Sequence, residues 1–232
     1  YEKDSRLGGQ WNLAAMPPYK QELTTLVRYQ QSQLRKLNVN VHLNTEMTAE
    51  KILELHADHV ILATGATPAL PPIKGIDNKN VVTSTDILSG RKSIKENAAV
   101  IGGGEVGAET AAFIASTNRK ASVFEMTGEL CAKTEGSVKL FLFEYLKNKN
   151  VSCYTNAKVK ELTENSVIIE KNGKDETYDG FTDIVIAVGG KSYNPLEKEL
   201  EGKVPMTVIG DAVSVRQGID AVHEGYVAGY TL

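Results

Sequence analysis

The sequence predicts an α/β protein built on a parallel sheet, and three observations carry that reading. A short apolar run, Ala98-Ala99-Val100-Ile101, leads directly into a glycine cluster, Gly102-Gly103-Gly104-Glu105-Val106-Gly107. Residues 108–117 are then small and apolar, as in a helix that packs closely on a sheet. A second apolar run, Ala121-Ser122-Val123-Phe124, ends in an acid, Glu125. Strand, helix and strand in that order demand parallel strands joined by right-handed crossovers.

The remaining elements follow in chain order. Residues 20–37 carry Leu23, Leu26, Val27, Leu34 and Leu37 on one face and predict a helix. Residues 39–43 alternate and predict a strand, and Val60 to Ala63 is an apolar strand entering a turn at Thr64-Gly65. After Glu125, Val138, Leu142, Tyr145 and Leu146 recur at helical spacing, and 151–154 is the next strand, which completes βαβαβ. The period then shortens: apolar positions in 157–170, the turn Asn172-Gly173 and an extended Thr177-Tyr178 predict an antiparallel meander. Residues 183–190 form a buried strand running into Gly189-Gly190. Thr207-Val208-Ile209 repeats that form into Gly210-Asp211, and a helix follows over 217–230. The predicted organisation is one domain over 93–202 inserted into a discontinuous, incomplete one made of 1–92 and 203–232.

Composition limits the function. The chain has 232 residues and a net charge of −3, so no electrostatic pull toward nucleic acid or an anionic membrane is expected. No stretch reaches the roughly 18 apolar residues of a membrane span. Cys131 and Cys153 form no CxxC pair, and the four histidines are scattered. A cytoplasmic protein with two reduced thiols and no metal site is therefore expected. The chain opens inside a charged run, Tyr1-Glu2-Lys3-Asp4-Ser5-Arg6, without an initiator Met, and so reads as a piece of something longer.

The glycine cluster carries the chemistry. Gly102 permits a tight turn, Gly104 admits a diphosphate to the backbone, and Gly107 lets the helix pack on the strand. The N–H groups of Glu105, Val106 and Gly107 open that helix and present a partial positive charge to an anion. Glu125, 23 residues after Gly102, is placed to accept the hydroxyls of an adenosine ribose. A glycine-rich turn without a ligand is the competing reading. The same acid repels a 2′-phosphate, and Met126-Thr127-Gly128-Glu129 supplies no base to hold one, so NAD(H) is favoured over NADPH. Lys133 works the other way. On these grounds an Arg at position 125 would be expected to move the preference toward NADPH. A second, weaker set lies outside this unit. Glu2 has the position of another ribose acceptor, Leu7-Gly8-Gly9-Gln10 turns just after it, and Gly210-Asp211 turns after a buried strand, where an Asp is more often a cap than a ligand.

Together, Glu2-Lys3, Gly8-Gly9-Gln10, Ala63-Thr64-Gly65-Ala66-Thr67-Pro68, Gly102 to Glu109 and Ile209-Gly210-Asp211-Ala212 resemble the two-dinucleotide flavoproteins of the pyridine nucleotide-disulfide oxidoreductase class. Residues 7–28, LGGQWNLAAMPPYKQELTTLVR, are similar more narrowly to the C-terminal half of the NADH:flavin oxidoreductase, 2,4-dienoyl-CoA reductase and enoate reductase group. The resemblance implies a Rossmann-like NAD(P)H domain inserted in a partial FAD-binding Rossmann-like domain. Glu2 would hold the FAD ribose, Gly9 and Gln10 would lie by its phosphates or flavin, and the backbone near Met47 would face the adenine. Ala63, Thr64, Gly65, Gly210 and Asp211 would complete the FAD site, Asp211 at the ribityl chain. Gly189 and the following 191–195 would close over the nicotinamide, with a plain turn as the alternative. Trp11 and Tyr19 line a flavin pocket or serve packing. The group's chemistry is hydride transfer from nicotinamide to flavin, continued through a 4Fe–4S cluster to FMN in an N-terminal TIM-barrel domain. This chain lacks the FAD fingerprint, the barrel, its catalytic residues, the cluster cysteines and any dithiol. By itself it is expected to reduce no carbon substrate, and its hold on FAD is in doubt. A non-catalytic NAD(H)-sensing or scaffold domain is the alternative from a different class, and the oligomeric state is open.

Overall fold

The computed structural model describes residues 1–232. In chain order its helices are α1 (Gly9–Ala14), α2 (Thr24–Lys36), α3 (Ala49–Glu54), α4 (Ser84–Leu88), α5 (Glu105–Ser116), α6 (Gly136–Asn148), α7 (Leu196–Leu200) and α8 (Gly218–Thr231). Its strands are β1 (Val60–Leu62), β2 (Ala66–Pro68), β3 (Val81–Thr83), β4 (Asn97–Ile101), β5 (Lys120–Phe124), β6 (Ser152–Tyr154), β7 (Lys158–Leu162), β8 (Ser166–Lys171), β9 (Lys174–Asp179), β10 (Asp183–Ile186), β11 (Gly190–Ser192) and β12 (Met206–Val208). They form two units: Tyr1–Asn12, Glu22–Thr67 and Gly190–Leu232 make the first, and Leu13–Gln21 with Pro68–Gly189 the second.

The second unit is built on a five-stranded parallel sheet in the order β3-β10-β4-β5-β6. Alternation along each strand sends side chains to opposite faces. Ala98, Val100, Ala121, Val123 and Val185 meet α5 and α6 through Ala108, Ala111, Ala112, Ile114 and Leu146. The alternate residues Ala99, Ile101, Phe124, Ile184 and Ile186 meet Leu162, Val167, Ile169 and Phe181, so the antiparallel meander β7-β8-β9 forms the third layer. Phe124 is the centre of that interface: its ring lies 5.0 Å from Tyr154, 5.3 Å from Tyr178 and 5.8 Å from Phe181. The small residues of α5 allow the helix to lie close on β4, as the composition of 108–117 predicts.

The first unit has a two-stranded parallel sheet, β1 with β12, in register Val60↔Met206 to Leu62↔Val208. Its core joins Ala49, Ile52, Leu62 and Leu200, with Met47, Leu196 and Val208 packed against them. Residues 39–43, expected as a strand, form no regular strand. Their neighbourhood makes isolated backbone bonds instead, from Glu2 N–H to the His42 carbonyl at 2.8 Å and from Asn44 N–H to the Asp4 carbonyl at 3.0 Å.

The sequence places the domain borders at 92/93 and 202/203, whereas the compact units divide at 67/68 and 189/190, with Leu13–Gln21 also falling in the second unit. Two local facts account for the difference. β3 is hydrogen-bonded to β10 and so belongs to the five-stranded sheet, while Leu196 and Leu200 complete the core around Ala49 and Ile52. No helix is long and apolar enough to cross a membrane. Replacing Phe124 by Ala should cost about 3–5 kcal/mol of stability, as for other buried aromatic truncations; urea unfolding of the variant checks this.

Candidate dinucleotide-binding site

The chain order along the sheet reverses beside β4, since β5 and β6 extend it to one side and β10 and β3 to the other. Ligands of open parallel sheets bind at such a switch point, outside the carboxyl ends of the strands. The glycine bend from Gly102 to Gly107 lies there. Gly102 has φ +104, and a Cβ on it would come within 2.6 Å of the Ala187 carbonyl oxygen. On Gly107 a Cβ would lie 1.9 Å from the Gly102 carbonyl oxygen, so only glycine lets α5 approach β4 this closely. Gly104 differs from both. A Cβ there would meet nothing within 4 Å, and Gly104 gives α5 no side-chain cap. The first turn of the helix therefore ends in open space, with the N–H groups of Glu105, Val106 and Gly107 ahead of the first intrahelical bond, Ala108 N–H to the Gly104 carbonyl. Those donors and the space before them fit a dinucleotide's diphosphate.

Glu125 follows β5 and stands at the mouth of this bend. One of its carboxylate oxygens accepts the Gly103 N–H at 2.6 Å and the other accepts the Thr127 N–H at 2.7 Å. Gly103, which the sequence argument passed over, is the most tightly enclosed of the three consecutive glycines. Its Cβ would sit 2.3 Å from a Leu130 methyl and 2.7 Å from the Glu125 Cβ, and its carbonyl accepts the Cys131 N–H at 2.8 Å. Gly189, at φ +105, comes two residues after Ala187, which backs Gly102; its carbonyl accepts the Ala69 N–H at 3.0 Å.

A further pair escaped the sequence argument. Lys20, in Leu13–Gln21, reaches Glu109 on α5 at 2.5 Å and Glu105 at 3.7 Å. Burial pushes the Glu109 carboxyl above its ordinary range, although the hydrogen bond and charge of Lys20 pull it down. An acid inside the otherwise small and apolar run 108–115 was the available signal, because a buried carboxylate calls for a partner. Tyr19, 84% exposed and at φ +67, sets its ring edge-on to Tyr145 at 5.8 Å. The two cysteines are free: burial pushes the Cys131 thiol up to about 11, and burial also raises that of Cys153.

In the first unit, Gln10 Nε2 donates to one oxygen of Asp211 at 3.2 Å, and the Arg216 N–H donates to the other at 3.1 Å. The Gly210 N–H donates to Glu224 at 2.6 Å, and Arg216 pairs with Glu224 at 2.5 Å; the Gly210 bond, then Arg216, holds that carboxyl below its usual range. Gly9, at φ +44, borders open space. Ala63, Thr64 and Gly65 lead out of β1; the Thr64 hydroxyl donates to the Tyr193 carbonyl at 2.5 Å, and the Tyr193 N–H donates to the Gly65 carbonyl at 2.9 Å. Glu2 turns its carboxylate onto the Asp4 N–H at 2.8 Å, and Met47 packs in the core. Trp11 packs as well: its indole N–H donates to the Leu23 carbonyl at 2.8 Å, and its ring lies where a Gly218 Cβ would be. The cluster of Gln10 and Asp211 fits a chain of hydroxyls. α8, by contrast, opens in a capping box of Gln217 and Asp220, so its first turn is less free than that of α5.

A two-unit α/β chain with an open helix N-terminus and an acid at the next strand end defines a dinucleotide-binding class. The chain belongs to the pyridine nucleotide-disulphide oxidoreductase family, whose model matches residues 19–214. It is 35% identical over 234 residues to a bilirubin reductase of Mediterraneibacter gnavus, covering 100% of this chain and 36% of that protein. It is 33% identical over 239 residues to an NADH oxidase of Thermoanaerobacter brockii, covering 100% of this chain and 37% of the relative. Among solved structures it is similar to a 2-naphthoyl-CoA reductase, with a TM-score of 0.95, 31% identity, and coverage of 100% of this chain and 35% of the other. The chain thus spans little more than a third of the length of these relatives.

Two outcomes follow from the geometry. Gly104→Ala should keep stability within about 0.5 kcal/mol yet weaken dinucleotide binding, while Gly107→Ala should destabilise by about 1–3 kcal/mol or more; thermal unfolding paired with NADH titration separates them. Glu109 binds its proton more tightly in the folded chain, so its contribution to stability is lost as pH rises from its unfolded value of 4.5 through the raised folded one. Glu109→Gln should therefore flatten the decline of stability over that window, as read by unfolding at a series of pH values.

Proposed function

We propose that this chain is the NADH-binding electron-transfer module of a larger NAD(P)H-dependent flavin oxidoreductase. The observation that carries the proposal is the placement of Glu125 at the uncapped start of α5, beside the open space at Gly104. In this reading the N–H groups of Glu105, Val106 and Gly107 take the diphosphate, and Glu125 takes the adenosine ribose hydroxyls. Gly102 lets the bend pack against Ala187, and Gly189, where a Cβ would meet nothing within 4 Å, leaves the path to the nicotinamide clear of a side chain. The carboxylate disfavours a 2′-phosphate, so NADH is the proposed donor and NADPH the poorer one.

In the intact protein FAD would be held through Gly9, Gln10, Ala63, Thr64, Gly65, Gly210 and Asp211, with Glu2 and the backbone near Met47 at its adenosine end. When bound, it supplies the acceptor for the nicotinamide hydride. The protein's part is to bind, orient and exclude water. None of the chain's own side chains is assigned a covalent or proton-transfer step. FMN and a 4Fe–4S cluster in a preceding TIM-barrel domain, where the final substrate is reduced, belong to the same proposal by resemblance. The alternative of an NAD(H)-sensing or scaffold domain is disfavoured by kinship with a named NADH oxidase and named reductases.

Stopped-flow mixing of the full-length protein with NADH should bleach the flavin absorbance band; a flavin that stays oxidised overturns the electron-transfer reading. Calorimetry on the 232-residue chain should show NADH binding roughly tenfold or more tighter than NADPH, the effect of about 1.4 kcal/mol of charge repulsion.

A further inference from the structure

The carboxylate of Glu125 is engaged before any ligand arrives. It is 9% exposed, and each of its oxygens already accepts a backbone N–H, from Gly103 and from Thr127. Its own backbone is held as firmly, since its N–H donates to the Tyr154 carbonyl and its carbonyl accepts the Ala157 N–H, each at 2.8 Å. Gly103 is gripped from the other side by Cys131, and Leu130 closes the space behind it. Removing the carboxylate would leave the enclosed Gly103 N–H without an acceptor at the point where the chain turns from β4 into α5.

We infer that Glu125 is a positioning residue for the diphosphate as well as the acceptor for the ribose: its two backbone bonds hold the glycine bend in the shape that aims the first amides of α5. This rests on the reading of the bend as a dinucleotide site. A carboxylate oxygen has lone pairs enough to accept a ribose hydroxyl beside the backbone N–H it already holds, so the two tasks do not compete. The inference opposes the expectation that Arg at position 125 would move the preference toward NADPH. A guanidinium accepts no hydrogen bond, so it would orphan both amides and loosen the bend for either coenzyme. Coenzyme preference is thereby tied to the integrity of the bend and cannot be reversed at this position alone.

The test uses the 232-residue chain, two ligands and one exchange measurement. The ligands are NADH and an NADH analogue lacking both adenosine ribose hydroxyls. Glu125→Gln should weaken the analogue by about tenfold, as one charge-assisted bond is worth, although the analogue has no hydroxyl for the carboxylate to hold. It should weaken NADH by more, and Glu125→Arg should bind neither NADH nor NADPH better than the unsubstituted chain does. Amide exchange in the ligand-free, unsubstituted chain should show Gly103 and Thr127 protected. An analogue bound equally well with and without the carboxylate overturns the positioning role, and so does a gain of NADPH affinity in Glu125→Arg. Should Glu125→Gln fail to fold, the exchange measurement still decides, because unprotected amides at Gly103 and Thr127 sink the clamp. Protected amides in a chain that binds no NADH would show that the dinucleotide reading itself has failed, and the inference with it.

Discussion

The close approach of the Gly102–Gly107 bend to β5 and β10 is the constraint on which the second unit depends. Three strand ends and the start of a helix meet there at distances that leave no room for side chains on Gly102, Gly103 or Gly107. Backbone polarity in so tight a place must be satisfied locally. The Phe124 carbonyl accepts the Gly102 N–H, Glu125 accepts that of Gly103, and the Gly103 carbonyl accepts that of Cys131. Gly104, Glu105 and Val106, which come next, are exposed and precede the first intrahelical bond, Ala108 N–H to the Gly104 carbonyl. An open, uncapped helix start thus follows residues that are themselves fully bonded.

The electrostatics near that helix start depend on how each of its acids is partnered. Glu105, Glu109 and Glu125 place three carboxylates around α5. Two of them face Lys20, which belongs to a segment distant in sequence and packed with the second unit, and the third is bonded to backbone N–H groups. One lysine offsets one of the three charges and backbone N–H groups solvate another, which is how the fold tolerates three acids around a single helix start.

The first unit shows the same logic with fewer parts. Asp211 and Glu224, at and after the turn that follows β12, are tied by Gln10, Arg216 and the Gly210 N–H into one network. Its sheet has two strands and its core is small. The relatives extend well beyond the portion this chain matches.

The βαβαβ run from 98 to 154, the meander after it and the positions of Gly102, Gly104, Gly107 and Glu125 were legible in the sequence, because hydrophobic period and glycine spacing are local properties. The strand expected at 39–43 was not realised, since alternation shows which face would be buried but not whether a partner supplies the ladder. The borders at 67/68 and 189/190 were invisible for a related reason: β3 joins the larger sheet by pairing with β10, a hundred residues away, and no local pattern records a pairing. Likewise the sequence named Glu125 but not its bonds to Gly103 and Thr127, and it showed Glu109 but not Lys20. Residue identity determines which groups require partners; only the folded chain, by bringing distant segments within hydrogen-bond reach, decides which partners they get.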